Sequence, residues 1–585
     1  MATRIKRALP IQLLAGLTLA AVSAASAGPL LAAIEQIDHQ NLYERRFVLP
    51  RDAEVEIDAV GSGWPDENSV FAYPWILNLT SRHVVWRMTP QRAEPYGGDQ
   101  NLREQVRLAL PAGEYAVYFS AVGGFFPIRK KVTLFRLFDL GSIKIDGQFP
   151  VDWDEYGDPD DWYVRVRASD PDYAVAPPPR QDREAEIGAL VRLSRVGNTR
   201  YRCAALEVHA PLRARVLAIG EYAGEGRGFA DGAWILDRDR CRRVWEMTLE
   251  NTEPAGGAEK NRRFDAEVTF QPGRYLACYG TDDSHAYDSW NAPPPFDPAS
   301  WGLTLIPVDA SAAGDVEVAI DPPVENLVVA HTMVGDGSFR QEGFTLTRPA
   351  RFCVRGLGEK MHGKERLVDF GWIEDAATRN VVWTMEYDLG HFAGGELRNR
   401  LVEAQVELDA GHYYVGYISD GSHSYDGWHD HGPFDPRGWG MMVSGAGVDF
   451  SSDWVHPLDE GALTRAVIAL APMRDDQRRE VRFAVESPTT VRLIALGEGD
   501  RDEMYDYGWL RSDDSGRTVW RMRPEETEHA GGARKNRRTE RVLTLEPGHY
   551  RLGYRTDGSH AFGDWNAEMP REAYRWGVTM IELPS

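Results

Sequence analysis

Three stretches of this chain each gather acidic, hydroxyl, imidazole and indole side chains into ten residues: 281–290, 419–428 and 556–565. Their shared positions are Asp282, Asp420 and Asp557; Ser284, Ser422 and Ser559; His285, His423 and His560; and Trp290, Trp428 and Trp565. Asn291, His429 and Asn566 follow the tryptophans. Two more acidic positions recur upstream. A glutamate follows a glycine at Glu221, Glu359 and Glu498, and an aspartate stands three residues before a tryptophan at Asp231, Asp369 and Asp506. Two or three carboxylates with one imidazole can hold a divalent cation such as Zn²⁺ or Mn²⁺, and the leading set for that role is Glu359, Asp369, Asp420 and His423 with their equivalents. Calcium prefers oxygen ligands alone, so the histidine points away from it. The same side chains also suit a polar ligand such as a sugar, because an indole face covers C–H groups while carboxylates accept hydroxyls. A third role is bracing, in which the polar groups satisfy a loop and the tryptophan plugs the core. Serine and histidine one residue apart do not make a catalytic triad, which needs a base reaching the hydroxyl and a third group orienting it.

The elements that must position these residues recur with them. A Val-Trp-x-Met segment places tryptophans at 86, 245, 383 and 520, spaced by 159, 138 and 137 residues. Trp75, Trp234, Trp372 and Trp509 keep the same spacing, as do the glycine pairs that begin at Gly97, Gly256, Gly394 and Gly531. A period this long is a whole domain rather than a solenoid unit. The expected layout is a signal peptide at 1–27 and repeats at 28–173, 183–309, 324–450 and 461–585, with an insertion near 126–150 in the first. Proline- and acid-rich linkers are expected at 174–179, 310–323 and 444–460. Within a repeat, apolar and polar residues alternate over short runs, as in Phe344 to Thr347 and Arg351 to Arg355. Seven or eight such runs per repeat predict an all-β chain of four tandem β-sandwiches, jelly-roll or immunoglobulin-like.

The first repeat lacks the polar set. Ser62 and Ala72 stand where the glutamate and first aspartate would be, and Val122, Gly124 and Phe125 replace the second aspartate, the serine and the histidine. The scaffold tryptophans and glycines remain. Joint loss is expected of residues that act as one unit. A patch of Lys260-Asn261-Arg262, Arg398-Asn399-Arg400 and Lys535-Asn536-Arg537 recurs just after the glycine pair and is expected to pair with the acidic loops.

The chain has 585 residues and a net charge of -23, which disfavours nucleic acid as a partner. Arg4, Lys6 and Arg7, the apolar run from Ile11 to Val22, and Ala25-Ser26-Ala27 read as a secretory signal cleaved after Ala27. No later run is apolar enough to span a membrane, so a periplasmic or secreted protein is expected. The four cysteines, Cys203, Cys241, Cys278 and Cys353, follow no metal motif. Cys203 paired with Cys278, or buried free thiols, both fit that count.

The turn Leu545-Glu546-Pro547-Gly548-His549-Tyr550 at the end of a hairpin resembles the bacterial pre-peptidase C-terminal domains. That resemblance covers the Gly-x-Tyr half of each repeat. It implies secreted β-sandwich modules with binding or targeting roles, and no site residue carries over from it. The expectation is an exported, non-catalytic binding protein whose second to fourth repeats each present an acidic, histidine and tryptophan pocket to a glycan or envelope component. The alternatives are a metal-dependent hydrolase using the Glu/Asp/Asp/His set, and a surface protein in which the loops only brace.

Overall fold

The computed structural model describes residues 28–64, 69–97, 100–122, 126–127, 148–149, 158–178, 188–224, 227–459 and 467–583. The signal segment, Gly124, Phe125 and most of the insertion near 126–150 lie outside the described residues. The chain divides into two compact units, Met1–Ala121 with Asp152–Arg180, and Val122–Val151 with Gln181–Ser585.

The third repeat displays the fold most fully. Its strands are β1 (Leu327–His331), β2 (Phe339–Leu346), β3 (Ala350–Glu359), β4 (Phe370–Asp375), β5 (Val381–Thr384), β6 (Gly390–Phe392), β7 (Asn399–Leu408), β8 (Gly411–Ile418), β9 (Gly440–Gly445) and β10 (Val455–Pro457). They form two antiparallel sheets, ordered β1-β9-β3-β7-β6 and β5-β4-β8-β2-β10. Consecutive strands cross repeatedly from one sheet to the other, and this order is that of a jelly roll. The alternation in β3 explains its place: Phe352 and Val354 are buried while Arg351 is exposed. Between the sheets Phe352, Val354, Leu401, Val415, Trp439 and Met441 form one core, to which the Val-Trp-x-Met segment contributes Met385. Among the described residues the second repeat keeps all ten strands in this order, and the first and fourth keep nine, without an equivalent of β10.

Two sequence motifs prove to be local fold devices. In the Gly-x-Tyr turn the tyrosine hydroxyl donates to a carbonyl four residues earlier, from Tyr115, Tyr275, Tyr413 and Tyr550 to Pro111, Gln271, Asp409 and Glu546. In the glycine pair Gly394 and Gly395 have φ of 78 and 65°, and a Cβ at Gly395 would stand 2.2 Å from the Gly432 carbonyl. The pair is needed for a close backbone approach, not for phosphate.

The expected linkers are partly strands. Val316–Ile320 pairs with 204–208 of the second repeat, and β10 pairs with β2. Alternating Val316-Glu317-Val318-Ala319-Ile320 has the period of an edge strand, which its acidic residues concealed.

Within the second unit the repeats are joined by packing and covalently. Trp234 packs on Phe434 with ring centroids 5.5 Å apart, and Arg243 pairs with Glu403 at 2.9 Å. Trp372 stacks on Tyr574 at 3.9 Å, beside a buried Arg575–Glu374 pair at 3.1 Å. Cys203 bonds to Cys278 across adjacent strands of one repeat, and Cys241 bonds to Cys353 of the next. Free thiols are therefore absent among the described residues. Replacing the Trp372 ring leaves a cavity at the joint of the third and fourth repeats. Trp372→Ala is expected to cost about 3–5 kcal/mol, read by calorimetry as a lower midpoint, with the fourth repeat melting apart from the third.

Candidate functional site

Three carboxylates meet at one end of each sandwich. Glu359 closes β3, Asp369 immediately precedes β4, and Asp420 follows β8 by two residues. In the second repeat the strand register sets Glu221 directly opposite Asp231. One oxygen from each of Glu359, Asp369 and Asp420 lies within 4.8 Å of the other two, and the same holds for Glu221, Asp231 and Asp282 and for Glu498, Asp506 and Asp557.

The central aspartate is fully buried in all three, at 0% exposure. Asp369 accepts a hydrogen bond from the Asp420 backbone N–H at 2.8 Å and another from Trp439 Nε1 at 3.0 Å. Asp231 accepts from Asp282 N at 2.9 Å and Trp301 Nε1 at 3.0 Å, and Asp506 from Asp557 N at 2.8 Å and Trp576 Nε1 at 2.9 Å. The loop aspartate is itself oriented by its neighbour: Ser284, Ser422 and Ser559 each donate a backbone N–H to it at 3.0 Å. The glutamate carries a cation on one oxygen. Lys260 reaches Glu221, Arg398 reaches Glu359 and Lys535 reaches Glu498, each at 2.9 Å. The recurring basic patch thus meets the acidic site, as its charge implied. The other oxygen, Oε2 of Glu221, Glu359 and Glu498, is buried with no hydrogen-bond partner in any of the three.

Burial dominates the electrostatics. It pushes the Glu221 and Glu359 carboxyls up to about 7 and Asp506 up to about 8. Asp231 and Asp369 are raised well above the usual carboxylate range by burial, with the neighbouring Asp and Glu charges adding to it. Asp282, Asp420 and Glu498 move in the same direction for the same first cause. The site as it stands favours bound protons or a bound cation over three bare charges.

The histidines do not join the carboxylates. Their Nε2 atoms bond the side-chain oxygens of Asn261, Asn399 and Asn536 at 2.7, 2.6 and 2.6 Å, and all three imidazoles are buried. Burial, with the adjacent Lys260, Arg398 and Lys535 charges, lowers His285 to about 3 and His423 and His560 to about 4. Each histidine has a left-handed backbone, φ 51, 53 and 56°, which the asparagine contact helps to hold. The expected Glu/Asp/Asp/His set is therefore corrected to the Glu/Asp/Asp that converge, with the imidazole Nε2 turned to the asparagine; Nδ1 of His285 and His560 is buried without a hydrogen-bond partner among the described residues. Among the described residues no serine hydroxyl bonds these imidazoles.

The loop tryptophans also differ from expectation. Trp290, Trp428 and Trp565 are half-buried, edge-on to Trp301, Trp439 and Trp576 at 5.0, 4.9 and 5.1 Å and to the histidines at 5.2, 5.3 and 5.1 Å. Each thus has one edge packed on the core, and Trp565 also lines a cleft. Asn291 and Asn566 accept from Lys260 and Lys535, at 2.7 and 2.5 Å, while the His429 N–H donates to His423 Nδ1 at 3.3 Å.

Neighbouring repeats reach two of the sites. His431 of the third repeat pairs with Asp283 of the second at 2.6 Å. A cleft of about 320 Å³ between the third and fourth repeats is lined by Asp420, Gly421, Arg366, Phe562, Trp565 and Glu568.

In the first repeat Ser62 stands opposite Ala72 and Val122 is buried. Trp162, left without an aspartate, donates instead to Asn101 Oδ1 at 3.0 Å. Sequence reasoning had not placed Trp301, Trp439, Trp576 or Asn261, Asn399, Asn536 at the site. Their recurrence was the available signal: Trp301-Gly302, Trp439-Gly440 and Trp576-Gly577 repeat one dipeptide, and the asparagines sit inside the basic patch.

Neither a protein-family profile nor a curated protein sequence matches this chain. Among solved structures it is similar to the CUB1-EGF-CUB2 domain of human MASP-1/3, at 12% identity over 43% of this chain and 96% of that one, with a TM-score of 0.14. It is also similar to the CBM32-1, CBM32-2 and M60 catalytic domains of Clostridium perfringens ZmpB, at 8% identity over 64% and 51% of the two chains, with a TM-score of 0.11. No role is taken from either.

Two outcomes follow from the geometry. The raised carboxyls prefer the protonated form when folded, so their stability contribution is complete at acid pH and is lost as pH climbs towards about 7 for Glu221 and Glu359. In EDTA the thermal midpoint should fall between about pH 4.5 and 7.5, and fall less in a Glu221→Gln/Glu359→Gln variant; a rise across that window would contradict the assignment. Trp439→Phe removes the donor to buried Asp369 and is expected to cost about 1–3 kcal/mol, whereas the half-buried Trp428→Phe, measured alongside, should cost less.

Proposed function

We propose that this is an exported, non-catalytic binding protein in which repeats two to four each hold a calcium-class cation in the Glu/Asp/Asp pocket. The cation orders the loop that carries Asp282, Asp420 or Asp557, and that loop presents a polar ligand, a glycan or envelope component, to the module's rim. One observation carries the reading. In all three repeats three carboxylates converge, and the glutamate Oε2 is buried without a partner. A buried acceptor left over three times in the same place is costly unless something positive fills it. With the histidine withdrawn, the donor set is all oxygen, which suits calcium over zinc. Trp565 and Asp420 sharing one cleft supports a ligand between modules. Export is supported by two disulfides, which persist in oxidising compartments. No helix among the described residues is long and apolar enough to cross a membrane.

The test is calorimetric titration of the EDTA-treated chain with CaCl₂, paired with elemental analysis of the chain as purified. Three calcium ions per chain and a raised thermal midpoint are expected. The Glu221→Gln/Glu359→Gln/Glu498→Gln variant, of near-identical shape, should take up none. A folded wild-type chain that binds no calcium and whose midpoint does not move would overturn the proposal in favour of bracing by protonated carboxyls. Glycan-array binding with and without calcium then reads the ligand.

A further inference from the structure

The sheet that holds β2, β8, β4 and β5 has an outer face, and successive repeats use it differently. In the second repeat this face carries Tyr201, Leu276 and Trp234, and the third repeat covers it. In the third repeat it carries Phe339, Ile418 and Trp372, and the fourth repeat covers it. Both covered faces present aromatic and aliphatic side chains beside one inter-repeat ion pair, Arg243–Glu403 or Arg575–Glu374, and each receives an aromatic ring from its neighbour, Phe434 or Tyr574.

The same face of the fourth repeat is built from Arg478–Val485, Gly548–Arg555, Tyr507–Ser512 and Thr518–Arg521. Trp509 keeps its position but is partly exposed. Arg478 and Arg555 stand at the positions that Phe339 and Ile418 hold in the third repeat. Arg478 stands directly opposite Arg555 and Arg482 opposite Arg551, and Arg551 is in turn opposite Arg511. Like charges in directly opposed pairs destabilise a sheet. Glu480 and Asp513 offset part of this: Glu480 pairs with Arg478 at 2.7 Å and Arg551 at 3.3 Å, and Asp513 with Arg551 at 3.1 Å and Arg482 at 3.6 Å. Arg521 and Arg555 have no carboxylate at ion-pair distance among the described residues. Their guanidinium groups lie over the Tyr507 ring at 4.3 and 5.1 Å, and Arg478 lies over Trp509 at 5.3 Å.

This concentration of arginine runs against a chain whose net charge is -23. A face that is merely solvated would be met by mixed charges. Rows of weakly hydrated, fork-shaped guanidinium groups beside aromatic rings instead match an anion carried on a sugar. A protein partner on this face, to judge from the two covered examples, would require the apolar surround that the fourth repeat has lost.

We propose that this face binds an acidic polysaccharide, with its carboxylates on Arg521 and Arg555 and its sugar faces against Trp509 and Tyr507. The site is separate from the Glu/Asp/Asp pockets and needs no cation. The probe is polygalacturonate, titrated into the full chain in EDTA, with dextran as the neutral control and polyglutamate as the acidic-polypeptide control. Binding to polygalacturonate alone is expected, weakening as salt is raised. Arg521→Ser/Arg555→Ser should lower the affinity roughly tenfold or more with an unchanged thermal midpoint, and Trp509→Ala should lower it without altering the salt dependence. Equal binding of polyglutamate, self-association of the chain through this face, or unaltered affinity in both variants would each overturn the proposal. Because EDTA empties the acidic pockets, loss of the calcium reading leaves this result unaffected.

Discussion

A buried indole N–H must find an acceptor, and a buried carboxylate must find donors. In repeats two to four each need meets the other, through Trp301 and Asp231, Trp439 and Asp369, and Trp576 and Asp506. The rest of the site hangs on this bond. The aspartate's second oxygen holds the backbone of the loop aspartate, which fixes where the loop leaves its strand. The tryptophan's ring is the floor on which the histidine and the second indole pack. The polar pocket and the aromatic plug are thus two sides of one residue. The first repeat supplies the natural control: with Ala72 in place of the aspartate, Trp162 turns to Asn101 and no acidic pocket forms there among the described residues.

The acidic pocket is the least comfortable part of each module. Its three carboxylates are drawn together by strand register and by hydrogen bonds made for other reasons, and desolvation then penalises their ionisation. The lysine or arginine on the glutamate offsets one charge only. A pocket built this way responds to whatever supplies positive charge, a proton or a metal ion, and passes that response to the loop through the Asp–backbone bond.

Much of the sandwich was legible because two-residue alternation survives in the strands and because four copies shared one spacing. The choice of jelly roll over immunoglobulin-like order was not, since strand order depends on which edges meet across the fold. The edge strand Val316–Ile320 read as a linker because it is short, lies in a proline- and acid-rich stretch and leaves both Glu317 and its apolar Val318 and Ile320 exposed. At the site, recurrence identified Glu359, Asp369 and Asp420, and with them His423, which is not among the groups that converge. Residues that recur together need not touch: His423 recurs because it pins the loop to Asn399, one shell away from the acids. Trp439 escaped notice for the opposite reason. It is kept in the first repeat as well, so it read as scaffold, although the same indole serves scaffold and site.

The disulfide from Cys241 to Cys353 joins two modules across a separation of 112 residues, and no equivalent bond joins the third module to the fourth. Under tension applied along the chain, force entering at Cys241 passes straight to Cys353. Asp282, His285 and Trp301 lie in the bypassed stretch and are shielded from the pull. Asp369, Asp420 and the stacked joint at Trp372 stay in series with it. Beyond the backbone, a tether anchored at its two ends would therefore carry load covalently from the second module to the third, but from the third to the fourth only through contacts such as the packing of Trp372 on Tyr574.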